Sequence, residues 1–196
     1  MQRSAQFERN TSETQICGSL SLDGVGNARV DTGIGFFDHM LNAWAKHGMF
    51  DLELTVRGDL EVDCHHTLED TGLVLGGALE EALGGKVGIR RFGASVLPMD
   101  DALVRVVTDL SGRPYVAYRV ALDATEVGGV PLLLFREFFR AFANSANVTV
   151  HVDKLAGDEP HHVIEAAFKA LGRALDQAKE PDPRVTGVPS TKGTLV

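Results

Sequence analysis

Two segments of the chain carry the same short pattern. DCHHTLED groups His65, His66 and Glu69, and EPHHVIEAAFK groups His161, His162 and Glu165. On a helix, residues i and i+4 share a face, whereas i and i+1 diverge by about 100°. His65 with Glu69, and His161 with Glu165, can therefore each grip one ion, while His66 and His162 point elsewhere and are free for a second. Mixed imidazole and carboxylate donors suit a borderline divalent cation such as Mn, Fe, Co or Zn. One such pattern could merely cap a helix. Its recurrence at equivalent places argues for metal chemistry. Cys64 precedes the first histidine pair, but its thiol would have to compete with better-placed groups.

The elements that must position these residues also repeat. Helices are expected at about 65–84, ended by Gly84-Gly85, and from His161 to Lys179. Within them Leu75, Gly76, Ala78 and Leu79 match Leu171, Gly172, Ala174 and Leu175. FDHMLNAWA (37–45) aligns with FREFFRAFA (135–143), which pairs Phe37 with Phe135, Trp44 with Phe142 and His39 with Glu137. Both stretches have helical apolar spacing. Residues 14–22 and 26–32 read as strands around the turn DGVG, and DLELTVRG alternates as a strand does. ALVRVVTDL, RPYVAYRVAL and NVTVHVDKL supply the strands of the second half. The order strand, strand, helix, strand, helix is thus used twice, as a gene duplication would produce. The expected organisation is a single fused α+β domain over 1–196, with pseudo-repeat halves at about 14–98 and 99–180 and a non-helical, Pro- and Gly-containing tail at 181–196.

Bulk properties narrow the function classes. The formal net charge of −8 argues against a general nucleic-acid or membrane-surface binder. No apolar run approaches the roughly 20 residues of a membrane span. Two cysteines and no secretory signal fit a reduced, cytoplasmic setting.

Together, DTGIGFFDHML, DCHHTLEDT, GIRRFG, DLSGRPY, EPHHVIEAAFKALGRAL and VPSTKGTL resemble the imidazoleglycerol-phosphate dehydratases of histidine biosynthesis, in the monofunctional form. The match runs from about Glu13 to Leu195. The resemblance implies two mixed four-stranded sheets with four helices packed between them. It implies two Mn²⁺ ions per active site, with His39, His65, His66, Glu69, His161, His162 and Glu165 as ligands. Glu137, aligned with His39 by the repeat, is read as a carboxylate ligand standing where an imidazole is expected. Arg91, Arg113 and Lys169, with Ser190, Thr191 and Lys192 of the tail, are expected to hold the substrate phosphate, a task suited to guanidinium forks, ammonium and hydroxyl groups. Glu13 matches the acid/base glutamate, and His47 and Asp100 match positions lining the pocket. The family also implies a homo-oligomer, a closed particle of roughly 24 subunits with active sites at subunit contacts.

The expected reaction is dehydration of D-erythro-imidazole glycerol phosphate to imidazole acetol phosphate. The hydrogen to be lost is not adjacent to a carbonyl and is not acidic. An imidazolate ring can expel the neighbouring hydroxyl and give a diazafulvene, which makes the next C–H acidic. Two other function classes remain open at this point: a di-metal hydrolase of a phosphorylated small molecule, and a non-catalytic metal-binding assembly protein.

Overall fold

The alternation in DLELTVRG and ALVRVVTDL puts every second side chain on a buried face, and both segments become interior strands. The computed structural model describes residues 3–195. Its first sheet holds β1 (Ser4–Asn10), β2 (Thr14–Ser21), β3 (Ala28–Asp31) and β4 (Asp51–Gly58), in the spatial order β1-β2-β4-β3. The second holds β5 (Phe92–Met99), β6 (Ala102–Asp109), β7 (Tyr115–Arg119) and, after a small ribbon of β8 (Glu126–Val127) and β9 (Val130–Pro131), β10 (Thr149–Ala156), in the order β5-β6-β10-β7. Each sheet is mixed in the same way. β3 runs parallel to β4 and β7 parallel to β10, and the other pairs are antiparallel.

Helices α1 (Gly35–Gly48), α2 (His65–Leu83), α3 (Leu132–Ala146) and α4 (Pro160–Lys179) lie between the sheets, as expected. α2 covers β1 and β2, and α4 covers β5 and β6. Across the middle, α1 packs on α4 and α2 on α3, so each helix pair joins one half to the other. The contacts are aromatic and dense. Phe37 meets Phe138 at 5.4 Å between ring centroids, and Phe138 stacks on Phe168 at 5.1 Å. Trp44 and Phe142, equivalent in the repeat, touch edge-to-face at 6.0 Å. Two equivalent residues can meet only beside the axis that relates them, so the pseudo-twofold runs past this pair.

Three features of the sequence reading change. The segments 14–22 and 26–32 do not form a hairpin. β2 has β1 on one side and β4 on the other, so β3 crosses over to the far edge of β4. The linking loop is held instead by Asp51, whose Oδ1 accepts from the backbone N–H groups of Val25 and Asn27 at 3.0 Å. The other two changes are additional strands, β1 and β5, one at the front of each sheet. Each half therefore runs strand, strand, strand, helix, strand, helix, with the β8–β9 ribbon inserted before α3 in the second.

The repeated glycines explain how closely the helices approach. A Cβ at Gly172 would lie 2.5 Å from the Trp44 carbonyl oxygen and 2.9 Å from the Gly48 nitrogen. At Gly76 it would lie 2.3 Å from the Phe142 carbonyl oxygen. Backbone atoms cannot swing aside as a flexible side chain would. Gly172→Ala should therefore destabilise the protein by about 1–3 kcal/mol through overpacking, even though alanine otherwise favours a helix by about 1 kcal/mol. Gly187→Ala, where an added Cβ has no neighbour within 4 Å, should be close to neutral. Urea unfolding of the two variants compares them directly.

Candidate active site

Pro160 occupies the first turn of α4, and the Glu159 side chain caps it by accepting from the His162 backbone N–H at 2.7 Å. That start sets the register in which His161 and Glu165 share one face. His161 Nε2 lies 3.0 Å from Glu165 Oε2, and His39 Nε2, arriving from α1, lies 3.0 Å from the same oxygen. Ligand atoms of the three residues all fall within 4.8 Å of one another. The carboxylate of Glu165 is buried, whereas His39 is exposed, so the cluster opens to one side. Burial pushes the Glu165 carboxyl upward, but hydrogen bonds from Lys169 and His39 outweigh it and bring the pKa down to about 2. Lys169 Nζ approaches the other oxygen, Oε1, at 2.6 Å.

The first half repeats the histidine–glutamate pair but surrounds it differently. His65 Nε2 stands 3.2 Å from Glu69 Oε2, yet the position equivalent to His39 contributes nothing to the pair. Glu137 is buried at 7 % exposure, and its oxygens pair with Arg136 at 3.1 Å and Arg140 at 2.6 Å. An ion at Glu137 would have to compete with these two guanidinium groups. Both oxygens are engaged by guanidinium groups, and the cluster of His39, His161 and Glu165 found among the described residues leaves Glu137 outside it, together with His65 and Glu69.

The second histidine of each pair turns away from the first, as the helical angle requires. His66 Nδ1 meets Asp59 at 2.9 Å, and its Nε2 lies 3.8 Å from Glu13. His162 Nδ1 meets Asp101 at 2.8 Å, and its Nε2 lies 3.4 Å from Asp100. The hydrogen bond to Asp59 raises the His66 pKa, and the one to Asp101 raises that of His162. The His162 hydrogen bond, joined by the backbone N–H groups of Asp158 and Glu159, brings Asp101 down to about 2. Glu13 and Asp100 thus occupy matching places, at the turns between β1 and β2 and between β5 and β6. Sequence reasoning missed Asp59 and Asp101. Asp101 stood in plain view beside Asp100 in the PMDDA turn. Burial pushes the Cys64 thiol up, away from the thiolate form that a metal requires.

The residues expected at the phosphate divide into two groups. Arg91 donates to both oxygens of Asp109, at 2.7 and 3.1 Å, and to the Pro189 carbonyl at 2.8 Å, which brings the tail and Ser190 beside it. Arg113 lies 3.9 Å from the same Asp109. Thr191 and Lys192 follow in an exposed turn, where the Lys192 N–H donates to Ser190 Oγ at 3.2 Å. Lys169 stands apart, next to Glu165 and within 3.8 Å of Met99 Sδ. Met99 and Phe92 mark opposite ends of β5, about 23 Å apart at roughly 3.3 Å per residue. His47, near the C-terminal end of α1, is half-buried, and burial together with the Lys169 and Arg173 charges pushes its pKa down.

A model of the family described as imidazoleglycerol-phosphate dehydratase matches residues 32–175. The imidazoleglycerol-phosphate dehydratase of Acetivibrio thermocellus is 53 % identical over 195 residues, covering 100 % of both chains. That of Gluconacetobacter diazotrophicus is 56 % identical, covering 98 % of each. This chain belongs to the imidazoleglycerol-phosphate dehydratase family. Crystal structures agree with the dehydratase fold. The Staphylococcus aureus enzyme superposes with a TM-score of 0.81 at 39 % identity, covering 89 % of this chain and 97 % of that one. The Pyrococcus furiosus enzyme gives 0.84 at 38 % identity, covering 96 % and 100 %. The dehydratase is a hydro-lyase and performs the dehydration step of histidine biosynthesis on a phosphorylated imidazole. Among the described residues, no helix is long and apolar enough to cross a membrane.

Asp109 fixes Arg91 and lies near Arg113 without reaching the histidine clusters, so on the expectation that these arginines hold the phosphate its loss should weaken binding more than chemistry. Asp109→Asn should raise KM about tenfold, equivalent to roughly 1.4 kcal/mol, and leave kcat within about threefold. Steady-state kinetics on imidazole glycerol phosphate separates the two parameters.

Proposed function

We propose that the dehydratase converts D-erythro-imidazole glycerol phosphate to imidazole acetol phosphate with two Mn²⁺ ions per active site. The observation that carries this reading is the convergence of His39, His161 and Glu165 from two helices within 4.8 Å. The donor chemistry fits the ion: two imidazoles and a carboxylate that stays ionised, with an open side for further ligands. His65 and Glu69 offer the equivalent pair in the other half, and His66 and His162 the remaining imidazoles. Bound there, the ions would supply Lewis acidity that favours the anionic form of the substrate's imidazole ring.

The chain's own groups do the rest. The anionic ring expels the hydroxyl on the adjacent carbon and becomes a diazafulvene. Glu13, exposed beside His66, gives its proton to that leaving hydroxyl, and water departs. As a carboxylate, Glu13 then takes the newly acidic C–H proton, and the resulting enol becomes the ketone. Asp100 and His47 line the pocket. Arg91, Arg113, Lys169, Ser190, Thr191 and Lys192 hold the phosphate.

Homo-oligomerisation completes this reading. Within one chain the Arg91 group lies at the opposite end of the β5–β6 hairpin from Lys169, and the second histidines face away from the first. A second copy is needed to close the pocket, which supports active sites at subunit contacts in a closed particle of about 24 chains. A cytoplasmic setting suits the free thiols of Cys17 and Cys64.

Incubated with imidazole glycerol phosphate and Mn²⁺, the protein should accumulate the ketone and release no phosphate. Chelation should abolish the activity and shrink an assembly that elutes far above the 21.1 kDa of one chain, and added Mn²⁺ should restore both. Phosphate release in place of the ketone would indicate a hydrolase. Absence of any product would indicate a metal-binding assembly protein. Full activity after chelation would remove the metal from the mechanism.

A further inference from the structure

The two halves treat their motif glutamates alike in one respect that the repeat does not explain. Each glutamate turns Oε2 toward the first histidine of its pair and Oε1 toward a cation. For Glu165 that cation is Lys169, four residues along α4, at 2.6 Å. The residue four along from Glu69 is Leu73, which carries no charge. The cation at Glu69 comes instead from the facing helix, where Arg140 lies 3.4 Å from Oε1. Its equivalent on α1 is Asn42, which is spent locally, donating to the Asp38 carbonyl at 2.7 Å. The pair Lys169 and Asn42 in one place is thus replaced by Leu73 and Arg140 in the other. Each site has one cation, supplied by opposite helices.

We infer that Arg140 is the positioning residue for Glu69, the counterpart of Lys169 at Glu165, and that buried Glu137 holds Arg140 in place. The inference rests on the two-ion reading above. A second cation beside a metal-binding carboxylate would by itself oppose the ion. Glu137 removes that opposition. Its Oε2 lies 2.6 Å from the Arg140 guanidinium, so the arginine orients Glu69 while its charge is balanced from behind. Glu137 is buried, whereas Arg140 is 56 % exposed along its side chain and reaches from Glu137 to Glu69 at the open side of the site.

Mn²⁺ binding to the purified enzyme, followed by electron paramagnetic resonance of the free ion and by calorimetry, tests this directly. Arg140→Gln should weaken one of the two ions about tenfold or more and leave the other unchanged. Adding Leu73→Lys to that variant rebuilds the geometry of the second half and should bring the weakened ion back to within about threefold of the wild type. Glu137→Gln, which keeps the shape of the side chain but strips Arg140 of its counter-charge, should weaken the same ion. It also serves where Arg140→Gln fails to assemble. Unchanged affinities in Arg140→Gln, or in Glu137→Gln when that stands in, overturn the inference. So does a lowered melting temperature with an affinity loss that Leu73→Lys does not repair, since Arg140 would then be only a structural pin. A wild type that binds no Mn²⁺ overturns the two-ion reading as well. A wild type that binds two ions, with variants that bind both equally well, overturns this inference alone.

Discussion

Close approach of α1 to α4, and of α2 to α3, is the constraint on which the remaining structure depends. Each pair joins one half of the chain to the other, and each is close enough that a single methyl group at Gly172 or Gly76 would meet backbone atoms. His39 reaches Glu165 only because α1 lies directly on α4. The same pairing brings Arg140 of α3 to Glu69 of α2. The cluster of His39, His161 and Glu165 draws on both halves, and the sheets pack against the helices that carry it. The hairpin turns then place Glu13 and Asp100 beside the second histidines.

Duplicated architecture does not require duplicated chemistry. Both halves keep the two histidines and the glutamate at the head of a helix. They differ in what surrounds the carboxylate. In the second half an exposed histidine from the facing helix joins the cluster, and the cation comes from the same helix. In the first half the facing helix delivers an arginine clamped by a buried glutamate. The buried carboxylate of Glu137 is tolerable in the core because two guanidinium groups compensate it.

Much of this was legible in the sequence because helical spacing, glycine positions and the histidine pattern all repeat in register. The strands at the front of each sheet were not. In SAQFERN the inward place of Arg9 is filled by a charged side chain that pairs with Asp70 of α2 at 2.5 Å, so apolar alternation fails there. In FGASVLPM the inward residues include Gly93 and Ser95, while Phe92 and Val96 face out, which inverts the usual pattern. Gly93 is small because the Ala174 carbonyl of α4 presses against it. The β2–β3 connection misled for another reason: a turn motif specifies a change of direction, not which strand becomes the neighbour. Arg140 was invisible because its role depends on a helix contact rather than on any spacing within its own helix.

The contact between Trp44 and Phe142 has an evolutionary consequence. Two equivalent residues meeting at a pseudo-twofold describe the isologous interface of a homodimer, now contained in one chain. In a true homodimer every mutation appears twice, so both copies of a pocket change together. Joining the copies lifts that coupling. One pocket could then lose its lysine once an arginine opposite had taken its place, and the two could drift apart in composition while the ancestral interface kept them in the same orientation.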